Sequence, residues 1–426
     1  MFKTTFILLI IRGLKTITNL LINLIIGRVF GSGGIAHFNT VFAWQEFFSG
    51  LASGGLNTYA LRSVLGAKKD HKSSINILSI FFFLLTVGIF SYSIFETFKF
   101  QIIKIIPGDV IDSLIFENGG TKNIFLYLIT ISIAYSILQL SANVLRGGLY
   151  PILSSIIENI ISPLLLLLIT LYYFVFSLDL PSYSSILNYY LYSIIFAMLI
   201  GLFLCIVLNK KAVFQILKIS DLKVFINKSV LIFRMYDLSN ALNGLLPFII
   251  LPFYCSSLEI GYFSISLKFV LISNLILVTL SGYFNPIFVR LYANKEFKPL
   301  YNLLNKSRLV LTAYFLPYMF ICVIFGEKLL LIFGDEFVNA KNYLNILMIG
   351  QIISSSTGLS GQLLNMIGLE KYVMNLTFLS MLILFVLSII LCPFYKVYGL
   401  IIAMVLSNLI RNFSFFYKAK KTIFTH

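Results

Sequence analysis

Twelve apolar segments recur along the chain, and each is long enough to cross a membrane as an α-helix. A span needs about 20 mostly apolar residues. Only 11% of the residues are charged, whereas soluble domains contain about 25%. The sequence therefore predicts an all-α polytopic membrane protein with twelve transmembrane helices, at 6–29, 35–60, 75–96, 123–145, 152–176, 185–208, 229–254, 261–283, 309–332, 342–366, 372–392 and 399–417.

Lysine and arginine are distributed unequally between the two sets of connecting segments. The segments on the side of the N-terminus carry 20 of these residues, and those on the opposite side carry seven. Because basic loops are retained on the cytoplasmic side, we expect both termini in the cytoplasm. The net charge of +16 follows mostly from this orientation near anionic membrane lipids, so we expect no nucleic-acid partner.

This orientation predicts that reporter proteins fused after Lys72 and after Lys122 report opposite sides of the membrane. Lys72 belongs to a predicted inner connection and Lys122 to a predicted outer one. A cytoplasmic signal from both fusions would overturn the predicted topology.

The chain divides into two halves of six predicted spans. An amphipathic, lysine-bearing linker at 209–228 is expected to form an interfacial helix between an N-terminal lobe, 1–208, and a C-terminal lobe, 229–426. A weak internal repeat relates the halves, because an offset of 225 aligns IAHF near the start of the second span with IGYF near the start of the eighth.

Two bases, Arg12 and Lys15, lie inside the first predicted span. Each costs roughly 2.5–3.5 kcal/mol at the centre of a helix in hydrocarbon. With Asn19 and Asn23 they recur at a spacing that puts all four on one helical face. This pattern predicts that the face borders a polar cavity.

Other ionisable and amide residues within the spans extend this candidate site. We predict a cationic substrate site of Arg12, Lys15, Arg234 and Lys268, in which the offset of 225 brings the two lobes to one cavity. Two alternatives remain open, since Arg234 and Asp237 are spaced to neutralise each other and polar stripes also pack helices in lipid. The acids expected in the cavity or in ion coupling are Glu46, Asp237 and Glu158, and the lining amides are Asn19, Asn23, Asn57, Gln351 and Gln362.

Signatures of catalysis are absent from the sequence. It has no phosphate-binding G-x-x-x-x-G-K-[ST] loop, no H-E-x-x-H and no G-x-S-x-G nucleophile elbow. The three histidines are scattered and predict no metal site. We therefore expect a secondary transporter without a cofactor, not an enzyme, with coupling to protons or sodium as an open alternative to the membrane potential.

The chain resembles the polysaccharide-transporter branch of the multidrug/oligosaccharidyl-lipid/polysaccharide (MOP) exporter superfamily, which includes Wzx-type O-antigen flippases. The segments that carry the resemblance occur in family order along most of the chain. They include GRVFGSGGIAHFN, NVLRGGLYP, IGYFSISLKF, NPIFVRLYANKEF, LLLIFGDEFVNAKNYLNILMIGQ and VYGLIIAMVLSNLIRNFSFFYK.

The resemblance implies a fold, a substrate and a location. It implies two six-helix lobes around a central cavity that is open alternately to the two sides. The implied substrate is an oligosaccharide repeat unit on undecaprenyl diphosphate, flipped from the inner to the outer leaflet of the bacterial inner membrane for lipopolysaccharide or related polysaccharide synthesis. A polysaccharide polymerase and a chain-length regulator are the partners implied.

Two other functions compete with the flippase. A cation-coupled multidrug exporter of the same superfamily predicts an acidic cavity. The charged residues predicted to be intramembrane here are instead five bases, Arg12, Lys15, Arg234, Lys268 and Arg411, and three acids, Glu46, Glu158 and Asp237. A membrane-embedded glycan polymerase or ligase predicts a large outer loop with clustered charged residues or histidine. The longest predicted outer connection, 97–122, contains no histidine.

Overall fold

Helices account for all the regular secondary structure in the described part of the chain. In a computed structural model, the structure describes residues 2–53, 57, 120–176, 183–208 and 228–424. The third predicted span, 75–96, lies outside these residues, as does all of the linker 209–228 except Lys228. The helices are α1 Phe2–Ser53, α2 Gly120–Gly147, α3 Pro151–Phe176, α4 Tyr183–Leu208, α5 Lys228–Ile250, α6 Ser257–Ala293, α7 Phe297–Leu331, α8 Lys341–Thr357, α9 Ser360–Met366 and α10 Glu370–Phe424, with 3₁₀ turns at Leu251–Phe253 and Asp335–Ala340.

Two of these helices are broken at a single residue with positive φ. The break in α1 is at Gly31 (φ 66°, ψ −165°), and the break in α10 is at Lys396 (φ 49°, ψ −128°). Glycine adopts positive φ without the steric cost of a Cβ atom. Each break lies between two predicted spans, so α1 contains the first and second spans and α10 contains the last two.

The predicted tenth span, 342–366, is wrong as one continuous helix. The chain instead forms α8 and α9, which are separated at Gly358 (φ 65°). Gln351 and Gln362 consequently lie on different helices and do not share one helical face. A Cβ atom at position 358 would lie 2.4 Å from Cγ of Arg308, so this close approach requires glycine.

Seven helical stretches in the described ranges are long and apolar enough to cross a membrane. They include both broken helices, each of which carries two predicted spans. The described residues also contain the seventh span as α5 and the tenth as α8 and α9. The prediction of an all-α polytopic membrane protein is confirmed.

The chain separates into two compact units. The N-terminal unit comprises Ile10–Ile25 and His37–Leu245, and the C-terminal unit comprises Met1–Leu9, Ile26–Ala36 and Leu246–His426. The residues around the α1 break therefore belong to the C-terminal unit, whereas most of α1 belongs to the N-terminal unit. Because the linker lies almost wholly outside the described residues, its predicted place as the domain boundary stays a prediction.

Many buried hydroxyl groups inside the helices, including those of Ser132 and Ser264, are satisfied by the preceding turn. Ser132 donates to the carbonyl of Leu128 at 2.6 Å, and Ser264 donates to that of Ile260 at 2.7 Å. In hydrocarbon each polar group needs a partner within the protein, and a hydroxyl bonded to the carbonyl three or four residues earlier supplies one. At these positions a small serine thus lets helices approach closely without leaving an unsatisfied donor.

The internal repeat has a counterpart in the structure. An offset of 225 moves the break at Gly31 to Ser256, which is the N-cap of α6 and follows the end of α5. Ser256 forms a capping box with Glu259, because each side chain bonds to the other residue's backbone N–H. The two halves therefore turn from their first helix to their second at equivalent positions.

Candidate functional site

A cluster of charged and amide side chains lies within the N-terminal unit. Lys15 on α1 donates from Nζ to Oδ1 of Asn159 on α3 at 3.1 Å. Arg146, in the last turn of α2, donates from Nη2 to Oε2 of Glu158 on α3 at 2.6 Å. Arg12 interacts electrostatically with both Arg146 and Glu158. These five residues, called the cationic cluster below, join three helices through charged groups.

A π-helical turn places the α3 members of the cluster. Residues Ile157–Ile161 form this turn between two α-helical parts of α3, and Pro163 follows it. A π turn is wider than an α turn, occurs mostly as a single turn inside an α-helix, and is frequent at functional sites. Here it carries the neighbouring residues Glu158 and Asn159, which reach different bases on different helices.

The cluster has an excess of positive charge. It contains three bases and one acid, and Lys15 also interacts electrostatically with Glu46 on α1. The side chains of Arg146 and Glu158 are 32% and 21% exposed, and those of Arg12 and Lys15 are neither fully buried nor fully exposed. The cluster therefore presents partly exposed positive charge from two helices.

The sequence does not single out two of the members, Asn159 and the charged residue Arg146. The topology prediction treats Arg146 as an inner connecting residue, but the structure places it inside α2 and against Glu158. A signal was present in NVLRGGLYP, because a basic residue just before a glycine pair is typical of a helix C-terminus. That signal fixes the end of the helix but does not reveal the partner on α3.

The amide residues predicted to line the cavity make specific contacts within the N-terminal unit. Asn23 is 2% exposed, accepts from Nδ2 of Asn39 at 3.1 Å, and donates to the carbonyl of Asn19 at 2.8 Å. Asn57 donates to Oε1 of Gln139 at 3.2 Å. Asn23 therefore joins the two parts of α1, and Asn57 joins the end of the second span to α2.

The remaining predicted site residues are divided between the two units. Arg234 and Asp237 are half-buried on α5 in the N-terminal unit, where Glu46 is exposed on α1. Lys268 is half-buried on α6 in the C-terminal unit, as are Gln351 and Gln362 on either side of Gly358. The prediction that both halves contribute to one site stays a prediction.

A second polar constellation surrounds the break in α1, within the C-terminal unit. The guanidinium of Arg28 donates to the carbonyls of Ile332 at 2.8 Å and Leu331 at 3.1 Å, at the C-terminus of α7. Glu336 accepts from the backbone N–H of Ser32 at 2.6 Å, at the start of the second part of α1. A cation at a helix C-terminus and a carboxylate at a helix N-terminus both complement the helix dipole.

The α1-break junction, defined as Arg28, Ser32, Gly261 and Glu336, also contains a close backbone approach. A Cβ atom at Gly261 on α6 would lie 2.1 Å from the carbonyl oxygen of Ser32. In the sequence, Arg28 counts only as one of the seven basic residues predicted on the side opposite the N-terminus. Its structural contacts are with the end of α7, about 300 residues later in the chain. A local sequence pattern does not predict such distant contacts.

A third feature is the contact of Arg308 with the break between α8 and α9. Arg308 lies inside α7, where its Nε donates to the carbonyl of Ser356 at 2.6 Å and its guanidinium lies 4.3 Å from the ring centre of Phe416. The bond satisfies a carbonyl that the end of α8 leaves without a helical partner. Arg308 therefore stabilises the helix break from a neighbouring helix.

Comparisons with known proteins agree with this architecture. The MatE family profile matches residues 239–390. A structure described as the inward-facing conformation of a multidrug resistance MATE family transporter of the MOP superfamily superposes with a TM-score of 0.77, at 11% identity and over 98% of each chain. A search of curated proteins found no significant match.

Two further solved structures share the fold. The lipid II flippase MurJ, in an inward closed conformation, gives a TM-score of 0.70 at 14% identity over 96% of this chain and 87% of that one. A mutant of the Vibrio cholerae MATE transporter VcmN gives 0.68 at 14% identity over 100% of this chain and 96% of that one. The predicted fold class, with twelve helices in two lobes, is confirmed by this likeness. The chain has the fold of the membrane transporters of the MOP superfamily.

Proposed function

We propose that the protein is a flippase that moves an oligosaccharide linked to undecaprenyl diphosphate from the inner to the outer leaflet of the bacterial inner membrane. The cationic cluster carries this proposal. A diphosphate presents paired anionic oxygens, which suit the planar fork of arginine, and lysine adds a point charge. Arg12, Arg146 and Lys15 supply both kinds of group at a partly exposed position in the N-terminal unit.

The sign of the charge favours this substrate over a cationic drug. Both a lipid flippase and multidrug transporters are among the similar structures, so the fold alone supports either class. A cationic drug is stabilised by acids and repelled by bases in a low-dielectric site. The cationic cluster has three bases to one acid, which is the opposite of what such a drug requires.

The membrane potential supplies a driving force for the proposed transport. The inner side of the membrane is electrically negative, so negative charges are driven outward. At a potential of about 100 mV, moving two negative charges outward releases roughly 4–5 kcal/mol. Glu46, Asp237 and Glu158 are the acids available for proton or sodium coupling in addition. Arg234 on α5 and Lys268 on α6 are the further bases proposed for substrate recognition.

The proposed function includes a membrane orientation, a biosynthetic role and partner proteins. Both termini are cytoplasmic, and the lipid-linked oligosaccharide is a precursor of O-antigen or a related surface polysaccharide. A polymerase and a chain-length regulator act on the same precursor after translocation and are the proposed partners.

Transport by the purified protein in liposomes tests the proposal. A lipid-linked oligosaccharide is placed in the inner leaflet, and its appearance outside is followed with an impermeant lectin, while ethidium uptake is measured in parallel. We expect the protein to accelerate exposure of the oligosaccharide and not the movement of ethidium. Ethidium transport without exposure of the oligosaccharide would favour the multidrug exporter and contradict the flippase.

A further inference from the structure

We infer that the carboxylate of Glu158 occupies the diphosphate position in the cationic cluster when substrate is absent, and competes with the substrate for Arg146. This inference rests on the proposed function and adds a mechanism for release at the same site. The diphosphate displaces Glu158 from Arg146 on binding. The carboxylate returns to Arg146 as the substrate departs.

The geometry of the pair supports exchange. One oxygen of Glu158 accepts from one nitrogen of Arg146 at 2.6 Å, and both side chains are partly exposed, at 21% and 32%. An incoming anion therefore reaches the guanidinium without unfolding a helix. A diphosphate carries more charge than a carboxylate and offers paired oxygens to the guanidinium fork, so it is able to replace this single contact.

The surroundings of Glu158 distinguish a displaceable anion from a simple structural ion pair. A structural pair is complete with one base and one acid, but here Arg12 also interacts with Glu158 and repels Arg146, and Lys15 interacts with Glu158. Even with Glu46, which also interacts with Lys15, the three bases outnumber the acids around them. A ligand with two or more negative charges balances them better than Glu158 does.

The π-helical turn gives Glu158 an anchored neighbour. Asn159 accepts from Lys15 at 3.1 Å and donates to the carbonyl of Ser155 at 3.0 Å. It therefore holds the turn against α1 when Glu158 moves. Because the two residues are adjacent in the wide turn, the carboxylate is able to leave Arg146 by side-chain rotation while α3 keeps its contact with Lys15.

Competition has a kinetic consequence. A resident carboxylate lowers the apparent affinity for the diphosphate, because binding requires the existing contact to break. The same carboxylate accelerates release, because it recaptures Arg146 as the diphosphate leaves. Removing the charge of Glu158 is therefore expected to tighten binding and to slow transport, whereas loss of a structural pair weakens both.

The test compares the wild type with Glu158→Gln in lipid nanodiscs. The probes are undecaprenyl diphosphate and inorganic pyrophosphate, with binding followed by titration and transport by the liposome assay. We expect the dissociation constant of the lipid to fall at least tenfold and the transport rate to fall at least threefold. Tighter binding of pyrophosphate as well assigns the effect to the diphosphate group. Tighter binding of the lipid alone also supports the inference and shows that the diphosphate is recognised together with its lipid.

A second variant controls for a structural role. The exchange Arg146→Glu with Glu158→Arg retains an ion pair between α2 and α3. If the pair is only structural, this double variant is expected to transport like the wild type. If Glu158 is a displaceable carboxylate, the double variant is expected to fold but to be inactive. Unchanged or weaker binding by Glu158→Gln, or recovery in the exchanged variant, overturns the inference. Failure of the wild type to bind either probe overturns the proposed function instead.

Discussion

Replacing Arg12 and Lys15 together with glutamine is expected to abolish transport of the lipid-linked oligosaccharide while leaving the protein in the membrane. A hydrogen bond to a charged group contributes about 1.5–3 kcal/mol, so loss of two such contacts to a diphosphate costs about 3–6 kcal/mol. At about 1.4 kcal/mol per tenfold change, this corresponds to a reduction of roughly two to four orders of magnitude. Lys15→Gln alone is expected to have a smaller effect of the same sign.

The measurement is the initial transport rate in liposomes, normalised to the amount of inserted protein. Folding is not expected to suffer, because a neutral glutamine costs less than a charged side chain at membrane depth. A matched control is Lys298→Gln with Lys306→Gln, which also removes two positive charges but at exposed positions on α7. Full transport by the Arg12 and Lys15 double variant would remove both residues from the substrate site.

Gly261→Ala is expected to destabilise the C-terminal unit strongly. The new methyl group would lie 2.1 Å from the carbonyl oxygen of Ser32 and 2.8 Å from its Cβ atom, so α6 and the second part of α1 must separate. Overpacking of this kind typically costs about 1–3 kcal/mol. The separation also loosens the α1-break junction, because the backbone N–H of Ser32 is the group that Glu336 caps.

Thermal unfolding in detergent measures this effect. The control is Gly282→Ala, which is in the same helix and has no atom within 4 Å of the added methyl group. Alanine is about 1 kcal/mol more favourable than glycine in a helix interior, so Gly282→Ala is expected to keep or raise the melting temperature. Equal melting temperatures for Gly261→Ala and the wild type would contradict the close packing of α6 on Ser32.

The sequence predicts the helices of this protein well because their signal is local. Apolar length defines a span, and the offset of 225 locates equivalent turns at Gly31 and Ser256. The break at Gly358 is different, because the pattern of apolar and polar residues on its two sides also fits one continuous helix over 342–366. Its cause lies on α7, where Arg308 and Ser307 contact the break. The sequence of the broken segment alone does not reveal these contacts.

The candidate site is predictable only in part for a related reason. Charged residues inside apolar spans stand out against the energetic cost of burying them, and this identifies Arg12, Lys15 and Glu158. Arg146 does not stand out, because a base at a helix end is explained equally well by membrane orientation. Its assignment to the site depends on a contact of 2.6 Å with Glu158, which only the packing of α2 against α3 reveals.

Recognition of the diphosphate by the cationic cluster is measured by comparing two lipids that differ in one phosphate. Binding of undecaprenyl diphosphate and undecaprenyl monophosphate to the protein in nanodiscs isolates that group, because the lipid chains are identical. We expect the wild type to bind the diphosphate at least tenfold more tightly and expect the Arg12→Gln, Lys15→Gln double variant to lose this preference. Equal affinity of the wild type for the two lipids, or a preference that survives in the double variant, would contradict a diphosphate site in the cationic cluster.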